Sequence, residues 1–474
     1  MPVLVASLIV FYVLGVGIYR LYFDSGHAKS CRPALTTWYN AYHDLWRGGQ
    51  YVWFVEEVHR KYGPIVRIQP VVVHINDPTF IEKLYSQSPK LRRERYWTIL
   101  QTLQADGSVL ATKDHDLHRR HRAVLNPYSS QQNVRRLEPV INDTLATLFY
   151  RIDRWAKAGA PVRMNIAFRA ATKDIIQAYA FGEGDKYLEM EDCNTAFFDI
   201  TAPHSLVHLE THFYWLTTLM TNIPPKIMTA LTPHVGVFTS FLEGLAVQTR
   251  RLTDEAMVIV IAGSETTAWT LTAIIYQLLA DRRLYAKLRG ELGTVMPDRY
   301  ELPVASKLDG LPLLNALIQE TIRFHPGATR RQDRTCPDAD LVYKARNGQT
   351  YVIPAGSAVG MAAPILNRNP DIYERPDDFI PERYLENPKL LKYQMSFSRG
   401  TRQCIGINLA YQELQTFTAG LVRRYDLYDL ALKVQNGPTL ELYQTTKADI
   451  ATHSDCVAAG PAYGTQGVRV MIRN

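Results

Sequence analysis

The run from Leu252 to Asp281, LTDEAMVIVIAGSETTAWTLTAIIYQLLAD, constrains the fold more than any other stretch of this chain. It reads as one long helix that is apolar on nearly every face, and such a helix must lie buried through the middle of a domain. Asp254 and Glu255 fall in its expected first turn, where the helix dipole favours acidic groups. Its centre is chemically out of place, because Gly263, Ser264, Glu265, Thr266 and Thr267 interrupt the apolar sequence. Gly and β-branched Thr are poor helix formers. A Thr hydroxyl can also bond back to the carbonyl four residues earlier and bend the helix. Two readings stay open from the residues alone: a satisfied Glu–Thr network at a helix crossing, or a kinked helix with a polar groove facing a ligand.

With 474 residues, 46% of them hydrophobic, the chain can build a large core around that helix. It contains no Ser/Gly linker, low-complexity tract or fixed-period repeat, so one large domain behind a short leader is the simplest division. The leader, VLVASLIVFYVLGVGIY from Val3 to Tyr19, is uncharged and is closed by Arg20. As a helix it would be roughly 25 Å long, near the ~30 Å of a bilayer core. No basic residue precedes it and no small-x-small cleavage site follows, which favours an uncleaved anchor over a signal peptide. The basic residues that follow, Arg20, Lys29 and Arg32, place the main domain on the cytosolic side. The expected division is a membrane anchor over 1–22, a linker over 23–50 and a catalytic domain over 51–474. The net charge of +7 is compatible with several partners. No Lys/Arg run is long enough for a nucleic-acid arm.

Other segments fill in the architecture. LPLLNALIQETIRFHPG predicts a helix that stops at Pro326 and Gly327, with Glu320 and Arg323 three apart on one surface. GPIVRIQPVVVHIND predicts a β-hairpin with apolar alternation, TYVIPAGSAV predicts short strands, and RPDDFIPERYL predicts an irregular loop. The fold class is therefore mainly α with small β-sheets to the side (α+β). Five cysteines at irregular spacing point to a reducing compartment with free thiols. One of them, Cys404 in FSRGTRQCIG, is framed by two glycines and two arginines with no second Cys or His at metal-site spacing.

Phe397-x-x-Gly400-x-Arg402-x-Cys404-x-Gly406-x-x-x-Ala410 resembles the haem-binding loop of the cytochrome P-450 superfamily. Three further blocks arrive in that family's order: AGSETT at Ala262–Thr267, ETIR at Glu320–Arg323 and PERY at Pro381–Tyr384. The likeness runs through the whole chain after the leader, and is nearest in flavour to fungal microsomal members of the trichodiene oxygenase type. It implies a triangular helical haem domain holding haem b, with Cys404 as the axial ligand to iron. A thiolate donor favours O–O bond cleavage. In the same reading Gly400 and Gly406 let backbone N–H groups approach the sulfur. Phe397 packs beside it, and Arg402 reaches a haem propionate. His118 and Arg122 stand where the family has Trp-x-x-x-Arg, and Arg331 or Arg334 serves the other propionate. Glu265 and Thr266 are the catalytic pair that organises proton delivery, and Ala262 and Gly263 leave room for dioxygen. Arg383 joins Glu320 and Arg323 in a buried triad.

The implied reaction is hydroxylation or epoxidation of a lipophilic small molecule, a terpenoid or polyketide of fungal secondary metabolism. Electrons come from NADPH through a cytochrome P-450 reductase. The implied location is the endoplasmic reticulum membrane, single-pass. The pocket is expected between residues 96–110, including Trp97, Ile99, Leu100 and Leu103, and Pro326–Thr329. Arg119, Arg120, Arg399 and Arg402 are expected to form the face that meets the reductase. The chain departs from the pattern in FTSFLEGLAVQTRRLTDEA, where the roof before residue 255 reads as shortened. Two other readings are therefore kept: a haem-thiolate isomerase or dehydratase needing no external electrons, and an inactive haem or ligand binder.

Overall fold

The computed structural model describes residues 37–69, 71–96, 105–201, 205–213, 250–429, 431, 435 and 437–473. The anchor expected over 1–22, the pocket residues Trp97 to Leu103 and most of the shortened roof lie outside them. Eight helices carry the argument: α1 (Tyr51–Tyr62), α2 (His115–Leu125), α3 (Glu138–Lys157), α4 (Met164–Phe181), α5 (Arg250–Ala280), α6 (Arg282–Gly293), α7 (Pro312–Phe324) and α8 (Ile407–Arg424).

Helix α5 is the predicted central helix. It is long and apolar enough to cross a membrane, yet most of it is buried inside the protein. It packs along α4 and against α7 and α8. This core includes Phe168 and Phe417, edge to face at 6.4 Å, together with Leu271, Ile274 and Leu278. Each such side chain contributes about 1.5–3 kcal/mol on burial. The helix is continuous through its polar centre, where Ser264, Thr266, Thr270 and Thr272 each donate to the carbonyl four residues earlier at 2.7–3.0 Å. Two expectations change here. Asp254 and Glu255 lie beyond the first turn, and they accept the backbone N–H groups of Gly107 and Val109 at 2.8 and 2.7 Å. Gly263 faces Ile176 of α4, where a Cβ would come within 2.7 Å of its side chain. It is a close-packing glycine rather than space for dioxygen.

A five-stranded sheet flanks the helices in the order β1-β2-β8-β5-β3. Its strands are β1 (Ile65–Gln69), β2 (Val72–Ile75), β3 (Glu94–Arg95), β5 (Arg334–Thr335) and β8 (Ala358–Gly360). β1 and β2 form the predicted antiparallel hairpin, while β2 and β8 run parallel. Alternation suggested one wet face, but both strands are buried on both faces. Helix α1 covers one side through Tyr51, Val52 and Val55. Leu84, Tyr85, Met361 and Leu366 cover the other. A second sheet joins β4 (Val162–Arg163), β13 (Arg469–Arg473), β10 (Thr439–Leu442) and β9 (Asp426–Leu427). Two hairpins complete the set, β6 (Leu341–Lys344) with β7 (Thr350–Ile353) and β11 (Ser454–Cys456) with β12 (Ala458–Gly460). RPDDFIPERYL is irregular up to Pro381 and then turns into a short helix, Glu382–Glu386.

Candidate active site

Cys404 lies two residues before Gly406, the N-cap of α8. Its backbone N–H donates to the carbonyl of Phe397 at 2.8 Å, closing the loop. Gly400 holds φ +74°, and a Cβ there would come within 2.5 Å of the Tyr85 carbonyl. That glycine is required by left-handed backbone and close approach together. Gly406 meets no such crowding, and its N–H points at the Cys404 sulfur. Phe397 packs its ring on Tyr411, centroids 5.4 Å apart. Of the four described cysteines, Cys193, Cys336 and Cys456 are buried, and only Cys404 is open. It is enclosed by protein all the same. Burial raises its thiol above the ordinary range, against the pull of the Gly406 N–H and Arg122. A thiol so placed becomes a thiolate when a metal cation coordinates it.

Arg402 is buried, and its donors go to the carbonyls of Arg93, Thr112, Lys113 and Asp114 at 2.6–3.4 Å. It fastens the cysteine loop to the start of α2, where Asp114 caps the helix by accepting from the Leu117 N–H at 2.7 Å. The surface patch proposed from sequence therefore loses Arg402, whereas Arg119 and Arg120 are exposed. Arg122 donates to the Gln403 carbonyl and lies beside the thiol.

Arg331 does not share this region. It stacks over the Tyr51 ring at 5.3 Å and pairs with Asp333 at 3.6 Å. Side chains alternate along extended chain, so Arg334 takes the opposite face, where it donates to Ser398 Oγ at 3.2 Å in the cysteine loop. Arg334 also stands directly opposite Arg95 in the β3–β5 pair. Two like charges opposite each other destabilise a sheet. His118, held down to about 2 by burial and then by Arg402, Arg122, Arg95 and Arg334, faces the same cluster. Arg95 Nε is buried without a partner. Burial, then Arg334 and Arg402, act against its charge, but arginine stays protonated in proteins. These residues fit a group bearing negative charge, such as paired carboxylates. Nothing in the sequence singled out Arg95, which sits in the arginine-rich KLRRERYW.

On α5, Glu265 is 6% exposed and pairs with Arg169 of α4 at 2.9 Å, leaving Oε1 unpartnered. Burial raises its carboxyl against the pull of Arg169. Thr266 donates to Ala262 at 2.9 Å and lies against Gly327, where a Cβ would come within 2.9 Å of the Thr266 Cβ. Successive helix residues point about 100° apart, so the acid faces α4 while the alcohol faces the loop after α7. Sequence reasoning missed Arg169, which carries no spacing signal toward Glu265.

The second charged cluster is closed. Glu320 accepts from Arg323 at 2.7 and 2.8 Å, from Arg383 at 3.1 Å and from the Ile380 N–H at 2.7 Å. Arg323 donates further to the carbonyls of Asn367, Pro376 and Asp378. Glu320 and Arg323 are 0% exposed, so the buried triad with Arg383 that the resemblance implied is present, where spacing alone gave only a pair three residues apart.

The cytochrome P450 family profile matches residues 33–251 and 243–441. The chain is 32% identical to cytochrome P450 monooxygenase tpcC of Cochliobolus heterostrophus, covering 100% of this chain and 98% of the relative. It is 32% identical to cytochrome P450 monooxygenase astB of Talaromyces wortmannii (100% and 98%). It is 31% identical to stellatic acid synthase of Emericella variicolor (98% and 94%). The tpcC alignment spans 514 positions for a chain of 474 residues, so that relative carries residues without counterparts here. A thiol ahead of α8, a cluster of buried arginines near it and these matches lead to one assignment: the chain belongs to the cytochrome P450 family and is a monooxygenase similar to those of fungi.

Proposed function

We propose that this monooxygenase hydroxylates or epoxidises a lipophilic terpenoid or polyketide, using O2 and electrons passed from NADPH by a cytochrome P-450 reductase. The observation that carries the reading is the open Cys404 beside a cluster of buried arginines, among which Arg95 has an unpartnered Nε and only other arginines acting on its charge. Arg95, Arg334 and His118 would hold the propionates of haem b, Cys404 its iron, and Arg402 keeps the loop in place. Haem bound through a thiolate supplies the activation of dioxygen. The chain's own residues do the rest. Glu265 keeps one oxygen free of Arg169, and burial raises its carboxyl against the pull of that arginine, so it is the group that would pass a proton toward the Thr266 side. Thr266 and Gly327 shape the wall at which the substrate stops. Arg119 and Arg120, exposed on α2, offer the reductase a positive docking face. The apolar leader would hold the enzyme at the endoplasmic reticulum, catalytic domain in the cytosol.

Cys404→Ser tests the reading. The variant should lose the red-shifted reduced-CO band and all turnover, since a neutral hydroxyl cannot replace a thiolate. A Ser variant that still forms product with NADPH and reductase would sink it. A second reading, a leaky enzyme, is supported by the family match breaking into two pieces that overlap at 243–251, where the roof reads as short. Lids exclude water from such sites. NADPH consumed without product in the unmutated enzyme would favour this reading, and tight coupling would remove it.

A further inference from the structure

The hairpin of β11 and β12 turns at Val457, which holds φ +73°. A β-branched residue in that region is an outlier. Such a conformation persists only where its surroundings over-determine it, and here one carboxylate does so. Asp455 is 5% exposed. Its Oδ1 accepts the Val457 N–H at 3.2 Å and the Thr329 hydroxyl at 2.8 Å. Its Oδ2 faces Arg330 Nε at 3.6 Å. Its own N–H donates to the Gly49 carbonyl at 3.0 Å, which ties the hairpin to the turn before α1.

This knot reaches Thr266 through backbone. The Thr329 N–H donates to the Val457 carbonyl and the Ala459 N–H to the Gly327 carbonyl, both at 3.1 Å. Ala328 and Ala458 pair between them, so residues 327–329 run as an antiparallel strip along the hairpin. At the far end of the strip, Gly327 lies on α5. A Cβ there would come within 2.9 Å of the Thr266 Cβ and 3.1 Å of the Thr266 carbonyl oxygen. With no slack between strip and helix, a shift of the hairpin is a shift of the wall beside Thr266. Thr329 is 0% exposed, so it acts on that wall through the strip and not by touching a substrate.

We propose that Asp455 is a positioning residue for this enzyme's reaction. By holding Thr329 and the hairpin tip together, it fixes how closely Gly327 lies over Thr266 and so sets the room a ligand finds there. The inference rests on the reading of Cys404 as the ligand to haem iron and of Thr266 and Gly327 as the substrate wall.

The test uses haem-loaded enzyme and two iron-binding probes, imidazole and the bulkier 4-phenylimidazole, each titrated by the spectral shift it produces. The ratio of their dissociation constants reports the room beside Thr266, whereas a general loss of stability weakens both alike. Thr329→Val keeps the size of the side chain and removes the hydroxyl that Asp455 accepts. It should let the strip ease off Thr266 and raise the relative affinity for 4-phenylimidazole roughly fivefold, the size of one net hydrogen bond. Thr329→Ser keeps the hydroxyl without the methyl group and should hold the ratio of the unmutated enzyme. Val457→Gly accepts a positive φ without strain and loosens the tip. It should melt no lower than the parent and still move the ratio in the same direction, so the test survives if Thr329→Val does not fold. An unchanged ratio in either folded variant, or a ratio moved as far by Thr329→Ser as by Thr329→Val, overturns the positioning role alone. Unmutated enzyme that gives no spectral shift with imidazole overturns the haem reading, and this inference with it.

Discussion

Two buried clusters of charge in this protein are built on opposite principles. Around Glu320, both carboxylate oxygens and the two guanidinium groups are matched among themselves and to backbone carbonyls. Around Arg95, two arginines face each other across a strand pair with His118 and Arg402 near them; Asp333, Glu94 and Asp114 offset Arg334 and Arg402 in part, but only other arginines act on Arg95, and they oppose its charge. A closed cluster is complete within the protein and holds the fold. An open one is complete only with an anion, so it marks a binding site at a standing cost to the unliganded protein.

The largest consequence concerns the closed cluster. Glu320→Gln removes the charge that Arg323 and Arg383 share, and breaking a buried pair costs about 3–5 kcal/mol. Against a typical total of about 5–15 kcal/mol that is a large share of the stability, and the urea midpoint should fall markedly. A urea melt showing a loss under about 1 kcal/mol would mean the triad is relaxed and the contrast with the Arg95 cluster is unfounded. Arg95→Leu should act with the opposite sign. The haem-free protein keeps or gains stability as cation repulsion is relieved, while haem is lost faster to a scavenger globin. The lost charged hydrogen bonds should weaken haem retention by about 1.5–3 kcal/mol. If the haem-free variant is instead destabilised as Glu320→Gln is, both clusters are structural.

Thr266→Ala is neutral toward both clusters. It should fold and bind haem normally, with product formed per NADPH falling and peroxide rising, since only the proton route is touched. Unchanged coupling would leave Thr266 a helix residue bonded back to Ala262. The smallest effect is expected outside both clusters. Arg119→Glu with Arg120→Glu, on the exposed face of α2, should alter stability by less than about 0.5 kcal/mol. Reduction of the iron by the reductase should slow at low ionic strength, and the difference should fade as salt screens it. Equal rates at low salt would return those arginines to ordinary surface.

The sequence by itself determined the elements that rest on local chemistry. The apolar run around Gly263 could only be a central helix, the alternation over Ile65–Ile75 a hairpin, and the thiol between Gly400 and Gly406 a tight loop. These follow from period, propensity and backbone freedom, which act over a few residues. Tertiary structure alone decided which charges are matched. Arg95 and Arg334 are far apart in sequence and meet only because β3 and β5 pair. Arg331, three residues from Arg334, is sent to Tyr51 by the same strand geometry. Glu265 finds Arg169 only when α4 lies along α5. Gly263 shows its purpose only against Ile176, and Gly327 only against Thr266. Charge pairing and close approach depend on distance in space, and a strand register or helix crossing sets that distance through contacts that neighbouring residues do not encode.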